Sequence, residues 1–199
     1  MRKLLIATRN AGKLAEYRSL LAGLPFEPIY LPEINITDEI DETGDTFREN
    51  AVLKAQAYAR LSGLLTLADD SGLEVAALDG EPGVRSARYS GPGATDARNI
   101  DFLLQRLAAV PPGQRRARFR CVIAVADPDG RTQVAEGECW GEIIYAPRGT
   151  QGFGYDPVFY IPELGKAMAE LPPAVKNRIS HRAAAAREAR AILIQLAEP

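Results

Sequence analysis

The sequence contains few of the residues that most often bind zinc or form cross-links. Its 199 residues include one histidine and two cysteines. The two cysteines, Cys121 and Cys139, are too few for a zinc site and lie in segments predicted to be strands. We expect two reduced, packed thiols, as in cytosolic proteins, and keep a disulfide between paired strands as the lesser alternative.

Long apolar runs and a strong excess of one charge are also missing. No stretch approaches the ~20 apolar residues of a membrane span, and the first apolar run is too short for a signal-peptide core. The net charge is −2, with 46% hydrophobic and 25% charged residues. This balance argues against a surface that coats DNA or RNA. We therefore expect a cytoplasmic globular protein without a membrane or nucleic-acid partner.

Strand and helix patterns follow one another without an internal repeat or a linker. Residues 1–199 thus predict a single domain. Residues 3–8 form an apolar run that leads into a helical pattern, and a second strand at 26–31 contains Pro28, which favours a sheet edge. A helix is predicted from about Thr46 to Ser62, because Thr46 and residue 49 have capping-box spacing and a glycine follows.

The second half of the chain predicts a hairpin and two more helices. The predicted elements are a loop at 81–96, a helix at 96–110, strands at 117–126 and 132–146 joined by the turn DPDG, a short strand at 157–161 and a final helix capped by Ser180. This mixed order favours an α/β or α+β fold with a mixed sheet.

The segment LADDSGLEV (67–75) has two adjacent carboxylates, Asp69 and Asp70, where an apolar strand is predicted to end. Removing an ionised carboxylate from water costs several kcal/mol unless cations or strong donors compensate. Neighbouring strand residues face opposite sides, so we expect one aspartate to face a cleft and the other to hold the turn. The alternative is an acidic turn that caps backbone amides.

The segment ATRNAGK (7–13) lies at a predicted strand-to-helix junction. Backbone amides at a helix N-terminus and the charge of Lys13 suit a phosphate. The segment lacks the glycine spacing of a Walker loop, and a plain strand-to-helix turn with a surface lysine is the alternative.

The acidic segment 38–51 offers a metal ligand. Asp45 and Glu49 lie where helix capping favours acidic residues, whereas Glu42 lies upstream without such a role. Glu42 is therefore the best partner for Asp70 if a divalent cation binds. Proteins usually hold Mg²⁺ with one or two carboxylates plus substrate phosphates.

The glycine-flanked aromatic in GFGYDP (152–157) suits base stacking. We expect Phe153 to present its ring, and Asp156 to accept a hydrogen bond from a base or a ribose. A turn that buries Phe153 is the alternative.

The basic segment KNRISHR (176–182) is predicted at the start of the final helix. Cations there oppose the helix dipole, which suggests that they serve a ligand. The cluster contains His181, the only histidine of the chain.

These segments, in this order, resemble the inosine triphosphate pyrophosphatase family, which removes deaminated purine nucleotides. ATRNAGK, ETGDTFRENAVLKA, LADDSGLEV, GVRSARYSG, GFGYDPVF and ISHR carry the resemblance nearly from end to end. It implies an α/β fold with a long, twisted, mixed β-sheet, flanking helices and two lobes around a central nucleotide cleft. It also implies a homodimer and a Mg²⁺-dependent hydrolysis of dITP, ITP, XTP or dXTP to the monophosphate and pyrophosphate.

The resemblance also assigns roles to residues of this chain. Asp70 is the expected general base, and Glu42 and Asp70 are the expected Mg²⁺ ligands. The expected substrate-binding residues are Thr8, Arg9, Asn10, Ala11, Gly12, Lys13, Ser71, Phe153, Gly154, Tyr155, Asp156, Lys176, His181 and Arg182. The first six would hold the phosphates, and those from Phe153 onward would recognise the base and sugar.

One departure from the family pattern is Arg9, where many members have glycine, which raises the question of whether this backbone can adopt the required conformation. Two other functions stay open at this point. One is a pyrophosphatase for pyrimidine or modified nucleotides, and the other is a nucleotide- or RNA-binding module without turnover.

Overall fold

A computed structural model of the chain describes residues 2–197. Its strands are β1 (Arg2–Ile6), β2 (Phe26–Tyr30), β3 (Leu65–Val75), β4 (Arg116–Ala126), β5 (Thr132–Ile143), β6 (Phe159–Ile161) and β7 (Lys166–Ala167). Its α-helices are α1 (Ala11–Leu20), α2 (Phe47–Ser62), α3 (Asp96–Arg106), α4 (Pro173–Ile179) and α5 (His181–Ala197).

The strands form one mixed sheet with the order β2-β1-β3-β4-β5-β6-β7. β1 pairs in parallel with β2 and with β3, and β6 pairs antiparallel with β5 and with β7. β2 is an edge strand, as Pro28 predicted, because proline cannot donate to a ladder on both sides. The predicted α/β fold with a mixed sheet and helices is confirmed.

Capping residues set the start of the helices that precede the candidate site. The Asn10 side chain accepts a hydrogen bond from the Lys13 amide at the start of α1. α2 begins with the predicted capping box of Thr46 and Glu49 and ends at Gly63, which has φ 67°. Each cap satisfies amides or carbonyls that the helix leaves without partners.

The two aspartates do not end a strand, and this prediction was wrong. β3 continues through Asp69, Asp70 and Ser71 to Val75, so the turn that was expected at the two aspartates does not exist. Ion pairs inside the protein hold these carboxylates in a strand interior, as described below, so no turn is needed to carry them to solvent.

The predicted start of the final helix also needs correction. Lys176 and Arg178 lie in the last turn of a separate helix, α4, and only His181 and Arg182 begin α5. The C-terminal end of a helix attracts cations, so helix-dipole repulsion does not apply to Lys176 and Arg178. The predicted loop at 81–96 contains a 3₁₀ helix at Gly83–Arg88, and α3 ends at Arg106 rather than at residue 110.

The chain forms two compact units, and three strands contribute to both. Of the described residues, the first comprises 2–70, 121–137 and 182–197, and the second comprises 71–120 and 138–181. The core of the first includes Ile6, Tyr17, Leu67 and Ile123. The core of the second includes Leu73, Leu103, Phe119, Val158 and Phe159.

Both cysteines are free thiols, as predicted, so the disulfide alternative is not formed. Cys121 is buried in the first unit, and burial, with the Asp69 charge adding to it, raises the pKa of its thiol to about 12. Within residues 2–197, no helix combines the length and the apolar composition that crossing a membrane requires.

Candidate active site

Asp69 and Asp70 point to different sets of partners, as expected for neighbours in a strand. The Asp69 Oδ2 atom lies 2.9 Å from Lys13 Nζ and 3.6 Å from an Arg182 guanidinium nitrogen. Cys121 Sγ also lies 3.8 Å from this oxygen. Burial alone would raise the pKa of the Asp69 carboxyl, but the charges of Lys13 and Arg182 outweigh burial and hold that pKa below its usual range.

Asp70 is surrounded by side chains of α2. The Asn50 carboxamide donates a hydrogen bond of 3.1 Å to Asp70 Oδ2, and Lys54 Nζ lies 4.0 Å from Oδ1. Burial, with the nearby Glu42 carboxylate adding to it, raises the pKa of Asp70 although Lys54 opposes this shift. A carboxylate whose pKa is raised in this way is a stronger proton acceptor than an exposed aspartate.

Glu42 and Asp70 share one cation, the ammonium of Lys54. Lys54 Nζ donates to Glu42 Oε1 at 2.5 Å. Burial lowers the pKa of Lys54, but the charges of Asp70, Asp69 and Glu42 reverse this effect and raise it. The two predicted metal ligands, Glu42 and Asp70, therefore lie on either side of one positively charged group, the Lys54 ammonium.

The carboxylates of Glu42 and Asp70 suit a Mg²⁺ ion that takes its remaining ligands from phosphate and water. Among residues 2–197, no group of three or more His, Cys, Asp or Glu side chains could hold a metal by itself. Two carboxylates without further protein ligands are typical of Mg²⁺ sites in enzymes that act on nucleotides. The donor set fits this ion, and it does not fit a structural zinc site.

Asn50 connects the Glu42 loop to Asp70. Its Oδ1 accepts a 2.8 Å hydrogen bond from the Gly44 amide, while its Nδ2 donates to the Gly44 carbonyl at 3.4 Å and to Asp70. Gly44 leaves no space for a side chain, because a Cβ there would lie 2.6 Å from Glu49 Cβ. Asn50 thus holds the loop and the carboxylate in a fixed relation.

The predicted phosphate loop joins β1 to α1. Thr8 Oγ1 accepts from the Asn10 amide at 3.2 Å, and Ala11, Gly12 and Lys13 form the first turn of α1. Arg9 donates to the Ile36 and Asp38 carbonyls. Outside glycine, only Asn35 and Asp79 have positive φ among residues 2–197, so Arg9 needs no glycine-like backbone.

In the second unit, the Phe153 loop is built around the Asp156 carboxylate. Asp156 is 2% exposed, accepts from the Phe153 amide at 3.0 Å and forms an ion pair with Lys176. Lys176 Nζ lies 4.7 Å from the centroid of the half-buried Phe153 ring. Asp156 therefore orients both the ring and the ammonium, a role that the prediction of a base or ribose acceptor did not include.

The other predicted substrate-binding residues of this unit differ in their contacts and in their burial. The Gly154 amide donates to Asp96 Oδ2 at 2.7 Å, and the Tyr155 hydroxyl is buried and donates to the Ser86 carbonyl at 2.8 Å. His181 stacks on Phe119 with ring centroids 4.8 Å apart. Ser71 is half-buried in β3. Tyr155 thus anchors the loop to its own unit.

Arg182 belongs to the first unit, together with Lys13 and Asp69. It is 1% exposed and donates to Glu16 Oε2 at 2.5 Å. In the first unit it contacts the carboxylates of Glu16 and Asp69 and lies over the Tyr17 ring, whereas Phe153, Asp156 and Lys176 form a cluster in the second.

Sequence reasoning missed Asn50 and Lys54, and it missed the ion pairs of Asp69. Asn50 and Lys54 are four residues apart on α2, so they lie on one face of the helix. This spacing was visible in the sequence, and it was the available signal that both face the same carboxylate.

The chain matches a known family model and has similar relatives over nearly its whole length. The model of the Ham1 family matches residues 4–192. A dITP/XTP pyrophosphatase of Geobacillus kaustophilus is 55% identical over 93% of this chain and 91% of its own length, and one of Geobacter sulfurreducens is 52% identical over 92% of each chain. A HAM1 protein from Coxiella burnetii has a similar structure, with a TM-score of 0.90, 44% identity and coverage of 98% of this chain and all of its own. The chain belongs to the Ham1 family.

Proposed function

We propose that this protein is a nucleoside triphosphate pyrophosphatase that hydrolyses dITP, ITP, XTP and dXTP to the monophosphate and pyrophosphate. The observation that carries the proposal is the convergence of Glu42 and Asp70 on Lys54. The names of the relatives described above give the substrate class. Removing such nucleotides prevents their incorporation into DNA and RNA.

Asp70 is the proton acceptor in this proposal. The oxygen of a water molecule forms a bond to the α-phosphorus, the bond between that phosphorus and the α–β bridging oxygen breaks, and pyrophosphate leaves. The proton of the water passes to Asp70. Two observations support this role. The hydrogen bond from Asn50 orients the carboxylate, and burial raises the pKa of Asp70 and so makes it a better proton acceptor.

Lys13 and the amides of the loop at residues 8–13 bind the phosphates. Phosphoryl transfer depends chiefly on positioning and charge stabilisation, which an ammonium and a helix N-terminus supply. Glu42 and Asp70 would hold Mg²⁺. When bound, this ion would neutralise phosphate charge.

Base recognition falls to Phe153, Lys176 and His181 of the second unit. Inosine and xanthine carry a 6-oxo group, to which Lys176 or His181 can donate a hydrogen bond. An adenine amino group would leave such a donor without an acceptor. The family resemblance adds Arg182 to this set. The position of Lys176 over the Phe153 ring supports the pairing of stacking with donation.

A substrate panel tests the function. Pyrophosphate release is measured with ITP, dITP, XTP, GTP, ATP and UTP, with MgCl₂ and with EDTA, and D70N purified in parallel reports contaminating activity. We expect ITP and XTP to lead the panel and EDTA to abolish turnover. A preference for UTP would indicate the pyrimidine alternative, and nucleotide binding without pyrophosphate release would indicate a binding module.

The resemblance also supports two finer proposals. The protein forms a homodimer, which light scattering behind size-exclusion chromatography can measure. It acts in the cytoplasm, where the nucleotide pool would supply its substrates, and fractionation of its native cells can test this.

A further inference from the structure

Carboxylates hold the peptide groups on both sides of the Phe153 Cα atom. The Phe153 amide donates to Asp156 at 3.0 Å, and the next amide, that of Gly154, donates to Asp96 Oδ2 at 2.7 Å. Asp156 belongs to the loop itself, whereas Asp96 is 58 residues away from Gly154 in the chain. Hydrogen bonds to a charged acceptor are stronger than those between neutral groups, so Asp96 restrains the loop from outside.

The hydroxyl of Tyr155 gives the loop a third contact. It donates at 2.8 Å to the Ser86 carbonyl, and Asn99 Nδ2 donates to the same oxygen at 3.4 Å. Asn99 Nδ2 also donates to the Ala87 carbonyl at 3.1 Å, while Asn99 Oδ1 accepts from the amide and the hydroxyl of Ser90. Asn99 is 3% exposed. It therefore fixes the backbone on which the Tyr155 hydroxyl rests.

Both supports come from one face of α3. Asp96 and Asn99 are three residues apart in this helix, so their side chains lie on the same side of it. An acidic residue at a helix start is favourable for the helix dipole alone, but that role does not require contact with a remote amide. The segment GVRSARYSG (83–91), which carries part of the family resemblance, has no role in the proposed function so far. These contacts give it one.

We propose that Asp96 is a positioning residue for base recognition, and that Asn99 supports it by holding the segment that receives Tyr155. Together they fix the Phe153 loop before a purine binds, so that less ordering is required on binding. This inference rests on the proposed function, which assigns base stacking to Phe153. That function places the phosphates at residues 8–13 and the reacting water at Asp70, so the effect of Asp96 should be confined to the base.

Two substitutions of Asp96 separate the hydrogen bond from the helix dipole. D96A removes the charge and the acceptor, whereas D96N removes the charge and keeps an acceptor oxygen. We expect D96A to raise KM for ITP about three- to tenfold with kcat within about twofold of the wild type, and D96N to recover most of the loss. The matched control is D101A, which removes an exposed carboxylate from the same helix and should leave KM unchanged.

Ligand affinity locates the effect on the base. Calorimetry is carried out with inosine monophosphate, which carries the base, and with inorganic tripolyphosphate, which does not. D96A should weaken binding of the monophosphate about three- to tenfold and leave the affinity for tripolyphosphate unchanged. Equal weakening of both ligands would assign the effect to a general disturbance of the fold and overturn the proposal.

Hydrogen exchange of the free protein tests the support without any ligand. Peptides that cover residues 150–157 should exchange faster in D96A than in the wild type, D96N or D101A. Y155F, which keeps the ring and removes the third contact, should also exchange faster there. Asp96 is exposed, so D96A should retain the fold, and thermal unfolding checks this.

Wild-type exchange rates in both D96A and Y155F would overturn the proposal, and so would a D96N variant as impaired as D96A. ITP turnover by the wild type with an unchanged KM in D96A would refute the role of Asp96 and keep the proposed function. Faster loop exchange and weaker monophosphate binding in D96A, with a wild type that does not hydrolyse ITP, would do the reverse.

Discussion

Asp69 and Asp70 are adjacent in β3, yet their surroundings shift their carboxyl pKa values in opposite directions. Asp69 lies between the cations Lys13 and Arg182 and stays ionised although it is buried. Asp70 faces Glu42 across the Lys54 ammonium and binds a proton more readily. Environments that separate the pKa values of two carboxyl groups in this way often mark different chemical roles.

Substitution of Asp70 by asparagine should remove turnover and preserve the fold. The amide can still accept from Asn50 but cannot take a proton, so we expect kcat for ITP to fall by about 10²–10⁴-fold. Because burial disfavours the ionised form of Asp70, the variant should melt at or above the wild-type temperature. Steady-state kinetics and thermal unfolding check both points. Near-normal turnover would remove Asp70 from the mechanism.

Substitution of Lys54 by methionine should make stability depend on Mg²⁺. The change removes the cation that Glu42 and Asp70 share, so the variant should melt below the wild type without metal. Mg²⁺ should then raise its melting temperature more than that of the wild type, because the ion would replace the lost charge. Lys3→Met, at an exposed position of β1, is the control. Equal shifts in K54M and wild type would contradict a metal site at these carboxylates.

Substitution of Asp69 by asparagine should lower stability in a pH-dependent manner. The pKa of Asp69 is lower in the folded state than in the unfolded chain, so its ionisation stabilises the fold above the unfolded pKa of about 4. This contribution disappears as the pH falls through the folded pKa. Urea unfolding should therefore show a large difference between wild type and D69N at pH 7 and a smaller one at pH 3. A difference that is independent of pH would assign the effect to packing.

Alanine substitutions at two glycines of the Phe153 loop should distinguish the effect of backbone strain from the effect of a steric clash. Both Gly152 and Gly154 have positive φ, but only at Gly152 would a Cβ collide with the Asp156 carboxylate and lie 3.2 Å from Lys176 Nζ. Both alanine variants should lose about 1 kcal/mol or more of stability through strain. G152A should in addition raise KM for ITP several-fold, because it displaces the pair that orients Phe153. An equal KM in both variants would argue against that orientation.

Local patterns predicted most of the elements but not the contacts that define the candidate site. Spacing and caps predicted α2 and the edge position of β2, since both depend on residues near in sequence. The continuation of β3 through Asp69 and Asp70 depends on Lys13, Arg182 and Lys54, which are remote in sequence. Local reasoning therefore treated the two carboxylates as a place where the chain must turn.

The break between α4 and α5 was missed for a related reason. A proline begins α4, and Ser180 separates it from α5. However, α4 has only seven residues, so its pattern of apolar residues is too short to be distinguished from that of the longer helix that follows. Because the sequence pattern does not separate the two helices, it places Lys176 at a helix start, where the helix dipole would disfavour a cation. The chemical prediction for Lys176 does not depend on it, because its contacts with Asp156 and Phe153 come from packing.

The bridge formed by Asn50 has a consequence for how this protein tolerates change. Its single carboxamide is hydrogen-bonded both to the backbone of the loop at residues 42–45 and to Asp70, so a shift of the loop would also change the hydrogen bond to Asp70. An insertion or deletion in that loop would move Glu42 and misalign the proton acceptor in one event. Lineages that remodel this loop should therefore also replace Asn50, and grafted loops should restore activity only when the two are exchanged together.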